Sequence, residues 1–184
     1  MNVHFLFALG ALFLLQSVLI ISKISIKPDN IDRKKRLHWT TLTLFICQWL
    51  MTITCLIDSL LYAKISTYYN LIGLALVLIS VLITYLAFKA LGDNYSIQIR
   101  VRKGHTLVKT SVYKYIRNPM DLAEILFMIG LPMLSSSMIS LLFLIPFIPI
   151  MILKINFEEL LLSKELKGYK EYMKKTKRLL PFIY

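Results

Sequence analysis

The chain has 184 residues, of which 57% are hydrophobic and 17% charged, and its mean hydropathy is +0.66. That is too oily for a soluble domain of this length and places it among membrane proteins. The net charge of +12 reads as membrane topology plus attraction to anionic headgroups, not as nucleic-acid binding.

Taken in chain order, the first apolar segment is Val3–Ser22. No basic residue precedes it and no small-x-small cleavage pattern follows, so it reads as a permanent span and not a signal peptide. A linker with Lys23, Lys27, Arg33, Lys34, Lys35 and Arg36 follows. Trp39–Ala63 then carries Asp58 as its single charge, and Leu71–Phe88 carries none. Each approaches or exceeds the ~18–20 residues a helix needs to cross a bilayer. Residues 125–153 are again uncharged, but Pro132, Ser135–Ser136–Ser137, Pro146 and Pro149 interrupt them. The pattern predicts a hairpin: a short fourth helix, a polar turn at Ser135–Ser137, and a fifth helix ending near Lys154. The expected fold is therefore an all-α membrane bundle of five spans.

The basic residues fix its orientation. Six lie in 23–38, six in 100–117, and eight from Lys154 onward. The positive-inside rule then places both basic linkers and the C-terminus in the cytoplasm and the N-terminus outside. The expected location is a multi-pass position in the cell's inner membrane. Asp58 sits near the outer end of its span, where its carboxylate reaches the interface. Cys47 and Cys55 lie in the same span and serve as small apolar residues.

The polarity changes near residue 90. Residues 1–90 read as a three-helix scaffold, and 91–184 as a functional half. The connection 91–119 is long for a compact helical protein, yet it holds Tyr95, Ile97, Val101, Leu107, Val108, Val112, Tyr113 and Ile116. Such a segment should fold back onto something. The tail Glu158–Tyr184 mixes Leu, Tyr and Lys at helical intervals and reads as a helix lying on the membrane face.

Several chemistries are excluded. There is no GxGxxG, GxxxxGK[ST] or GxSxG, and His4, His38 and His105 stand far apart without HExxH, so no metal is expected. What remains is one polar constellation. Asp121 and Glu124 open the fourth helix on one face, and Lys154 and Glu158 close the fifth on one face. Lys154 and Glu158, with Gln98, His105, Tyr113, Arg117, Asn118 and Glu159, would surround a pocket at the water–lipid boundary.

These residues also resemble a known family, the membrane methyltransferases that include isoprenylcysteine carboxyl methyltransferase and the phospholipid N-methyltransferases. Leu91-Gly92-Asp93-Asn94-Tyr95-Ser96 is similar to the family's LGxxWS. Gly104-His105-Thr106-Leu107-Val108-Lys109 with Val112-Tyr113 resembles H-x-L-V-x-x-G-x-Y, and Arg117-Asn118-Pro119 stands at R-H-P-x-Y. Lys154-Ile155-Asn156-Phe157-Glu158-Glu159 stands at R-I-x-x-E-E. Leu166 to Tyr172, with Arg178-Leu179-Leu180-Pro181, resembles the L-x-G-Y-x-x-Y…R-L-x-P tail of bacterial members.

The resemblance implies S-adenosyl-L-methionine as cofactor, wrapped by the C-terminal half, and transfer of its methyl group to a lipidic or isoprenoid-linked substrate entering from the bilayer. Gln98 and the strip His105, Thr106, Leu107 and Val108 would meet the adenosyl moiety. Tyr113, Asn118 and Pro119 would line the site, Arg117 would be a catalytic residue beside them, and Glu158 and Glu159 would receive the cofactor's polar end. Lys154 would position the substrate. Three positions depart from the pattern: Asn118 replaces a histidine, Asp121 a tyrosine, and Lys154 an arginine. Asn does not titrate near neutrality, and Lys is a point charge where Arg is a two-pronged fork. An amine, hydroxyl or thiol acceptor therefore stands level with a carboxyl one. The competing reading is a catalytically silent membrane protein that uses its basic surface to dock lipid or a partner.

Overall fold

The computed structural model describes residues 31–61, 67–92 and 107–180, with side chains from 39 and 68 onward in the first two stretches. The predicted first span, Val3–Ser22, and the site candidates Gln98, His105 and Thr106 lie outside the described residues. Among those described the protein is all-helical, without strands. Its helices are α1 (Ile31–Leu61), α2 (Thr67–Leu91), α3 (Pro119–Leu134), α4 (Leu144–Glu165) and α5 (Tyr169–Lys175), with 3-10 turns at Ser111–Lys114 and Met138–Phe143.

Among the described residues three stretches are long and apolar enough to cross a membrane: Trp39–Leu61, Tyr68–Leu91 and Met138–Glu165. Two of them are the second and third predicted spans. The predicted fourth span is α3, whose 16 residues are fewer than the ~20 a perpendicular crossing needs.

Helical periodicity explains the packing of α1. Leu44, Cys47, Gln48, Met51, Thr52, Cys55 and Ser59 recur every three or four residues and are buried, while Ile46, Leu50, Ile53 and Ile57 face outward. Its outer face is thus more apolar than its inner one, as suits a helix bathed in lipid. On α2 the buried stripe is Gly73, Val77, Ser80 and Ala87, and these small residues let α3 come close.

Glycine is required at that crossing. A Cβ on Gly73 would stand 2.7 Å from the Gly130 carbonyl oxygen and strike the backbone of Leu134, and one on Gly130 would stand 2.9 Å from Leu76 Cβ. Backbones this close leave no room for a side chain. Ser80 strengthens the same contact by donating its hydroxyl to the Ala123 carbonyl at 2.7 Å.

Pro119 begins α3, where a missing N–H costs nothing. At its other end the serines turn the chain. Ser135 donates to the Leu131 carbonyl at 2.8 Å, and the Ser137 amide reaches the Pro132 carbonyl at 2.9 Å. Ser137 also donates to Asp58 at 2.6 Å, and Ser136 to Asn70 at 2.7 Å. The predicted polar turn is therefore tied by hydrogen bonds to α1 and α2. Asp58 accepts one of these ties.

The C-terminal part departs from expectation in two ways. The fifth predicted helix does not stop near Lys154 but runs to Glu165, because its acids and its lysine are paired inside the fold. The tail is also not one continuous helix from Glu158. Gly168, at φ 83°, turns the chain after α4 and precedes the short α5. The backbone turns extended at Thr176, and Lys177 pairs with Ile116 in a single parallel bridge.

Candidate active site

Two ionic groups lie where the start of α3 meets the second half of α4. The first is centred on Lys154, only 4% exposed although it sits in an apolar helix. Its ammonium contacts Asp121 Oδ1 at 2.5 Å and Glu158 Oε1 at 3.1 Å. Asp121 stands in the first turn of α3, so one buried bond joins the two helices. Glu158 lies one turn beyond Lys154 and is the more open of its two partners. Glu124 is near enough to act on Lys154 through its charge. Lys154, Asp121 and Glu158 together carry a formal charge of −1. A charge inside a membrane helix is costly to bury, and by default it marks a functional position.

The second group is centred on Glu159, 2% exposed. Its Oε1 accepts from Arg117 Nε at 2.9 Å and Asn118 Nδ2 at 3.0 Å. Its Oε2 accepts from Arg178 Nε at 3.1 Å and Nη2 at 2.9 Å. Four donors on one carboxylate explain how it is held in so dry a place. Arg117 also donates to the carbonyls of Met173 and Thr176, and Asn118 Nδ2 to the Arg178 carbonyl at 3.2 Å.

Backbone pairing runs alongside. The Arg117 amide reaches the Lys177 carbonyl at 2.8 Å, the Asn118 amide reaches that of Arg178 at 3.1 Å, and the Lys177 amide reaches that of Tyr115 at 3.1 Å. Ile116 and Leu179 are buried in the common core beneath this pairing.

Tyr113 lies in the 3-10 turn before this junction, and its carbonyl accepts from the Tyr172 hydroxyl at 2.6 Å. Burial pushes the Tyr172 phenol up to about 12, partly offset by its hydrogen bond with Thr176. The phenol of Tyr169 is held above its ordinary value by burial and by the charge of Glu159. Both phenols therefore stay protonated at neutral pH, which keeps Tyr172 a donor.

Of the residues singled out from sequence, Arg117, Asn118 and Glu159 form one hydrogen-bonded group, and Lys154 and Glu158 form another. Pro119 is buried at the start of α3, joined to both through Asn118 and Asp121. Leu107 and Val108 are partly buried in the segment leading to Tyr113. Two participants were not among the candidates. Asp121 is the partner of Lys154, a pairing suggested in sequence only by a lone lysine in an apolar run needing an anion. Arg178 is the third side chain on Glu159. It carries no local signal beyond its place in the R-L-x-P tail.

The family model described as Phospholipid methyltransferase matches residues 68–168, more than half of the 184-residue chain. The match takes in nearly all of α2, then α3 and α4, and both ionic groups except Arg178. No curated protein matches the chain.

Proposed function

The chain belongs to the phospholipid methyltransferase family, and from that membership we propose that it transfers a methyl group from S-adenosyl-L-methionine to a lipidic acceptor at the cytoplasmic face of the membrane. The observation that carries this reading is the buried Asp121–Lys154–Glu158 group at the meeting of α3 and α4. Its surplus negative charge fits a cationic cofactor, and Glu158, the more open carboxylate, suits an α-ammonium. When bound, S-adenosylmethionine supplies a methyl group already activated on a sulfonium.

Little covalent work then falls to the protein, whose residues hold, orient and exclude water. We assign contacts with the adenosyl moiety to Gln98 and to His105, Thr106, Leu107 and Val108. Tyr113, Asn118 and Pro119 would line the site. Lys154 would sit beside the substrate's polar head, although Asp121 and Glu158 already occupy its charge. That occupancy argues for an acceptor bearing an amine, hydroxyl or thiol over a carboxylate. Residues 1–90 would serve as scaffold and 91–184 as the methyltransferase half. The lipid would enter sideways from the bilayer and the cofactor from the cytosol. We keep five spans with the N-terminus outside as part of the proposal.

Titration of the detergent-solubilised protein with S-adenosylhomocysteine tests the cofactor, and labelled methyl transfer into membrane lipid tests the reaction. Wild type is expected to bind saturably. Glu158→Gln is expected to weaken binding roughly tenfold or more, in keeping with the loss of a charge-assisted hydrogen bond. Equal, background-level transfer by wild type and variant would overturn the enzyme reading.

A further inference from the structure

The Glu159 group does more than hold the tail in place. Asn118 and Pro119 begin α3, and Asp121 follows within its first turn. Glu159 directly follows Glu158 on α4, so the two side chains project about 100° apart around the helix. Fixing Glu159 therefore fixes the rotation of α4 at the point where Lys154 and Glu158 face α3.

Arg178 closes this arrangement from the far end of the chain. Its guanidinium places two donors on Glu159 Oε2, and its carbonyl accepts both the backbone and the side-chain amide of Asn118. One residue thus grips α4 through its side chain and the start of α3 through its backbone. The anchoring is built on both sides: Leu179 enters the core next to it, and Lys177 pairs with the backbone on either side of Ile116. Arg178 also lies beyond the segment matched by the family.

We propose that Arg178 is a positioning residue, which through Glu159 and Asn118 sets the facing of Glu158 and Asp121 and so the geometry of the cofactor site. The proposal rests on the methyltransferase reading above. It makes residues 176–180, after α5, part of the site, although none of their side chains need touch a ligand.

The test uses the full chain in detergent with S-adenosylhomocysteine as the probe, in wild type, Arg178→Lys and Arg178→Gln. Affinity is measured well below each protein's melting midpoint, so that only folded molecules are counted. Misplacing a binding group by an ångström is expected to weaken affinity roughly 10- to 100-fold in Arg178→Gln. Arg178→Lys should fall between, because one ammonium replaces a two-pronged fork. A purely structural role would lower the melting midpoint and leave the affinity of the folded protein unchanged, and that result overturns the proposal. Should Arg178→Gln lose its helical circular dichroism, Arg178→Lys decides: intermediate affinity supports the proposal and full wild-type affinity overturns it. Absence of saturable binding in wild type would instead remove the methyltransferase reading, and this inference with it.

Discussion

Removing the Lys154 ammonium would leave Asp121 and Glu158 facing each other across a dry helix contact. Breaking a buried ion pair by deleting one partner costs about 3–5 kcal/mol, whereas replacing both partners by apolar groups is often neutral. Lys154→Gln should therefore lower the thermal unfolding midpoint in detergent sharply. Lys154→Met combined with Asp121→Leu should recover most of the loss. Equal impairment of the single and double variants would mean that the pair does not join the helices. The same residues mark how far a side chain's role could be read from sequence. That Lys154 and Glu158 share a face follows from their spacing of four. That Asp121 answers them from another helix does not, because an i, i+3 pair such as Asp121 and Glu124 says nothing about which neighbour the face will meet.

Helices α2 and α3 are held together by what they lack. The Gly73–Gly130 crossing brings carbonyl and amide groups within a few ångströms of where a Cβ would stand. Gly73→Val should drive the helices apart and cost about 1–3 kcal/mol or more, the usual penalty for overpacking. Gly92→Ala is the control, since a Cβ there meets nothing within 4 Å. Its positive φ of 48° makes any small loss there a backbone effect. A fall in melting midpoint confined to Gly73→Val would confirm the close approach. At this scale much was legible: the second and third predicted spans match α1 and α2 closely, and the serine turn falls where Pro132 and three hydroxyl residues put it. The end of α4 was not legible. Lys154, Glu158 and Glu159 look like the polar close of a helix, but partners contributed by α3 and the tail let the helix run past them to Glu165. Hydropathy counts charges without knowing which are paired.

For the molecule as a whole, the basic residues between the predicted spans and after Lys154 predict an orientation that reporter fusions can test. A fluorescent protein joined after residue 184 should fold and glow, and alkaline phosphatase at the same point should stay inactive, if the tail is cytoplasmic. The reverse pattern would invert the topology. The sequence could not foretell that the tail returns to the bundle, since the Ile116–Lys177 bridge joins residues that no local pattern connects. That return orders events in time. During synthesis Glu159 is made before Arg178, so a nascent chain carries Glu159 without this partner until residue 178 has been added. A product cut between Lys175 and Arg178 would keep all five described helices, yet would lack the fastening that joins α4 to the start of α3. That fastening is thereby deferred until residue 178 is in place.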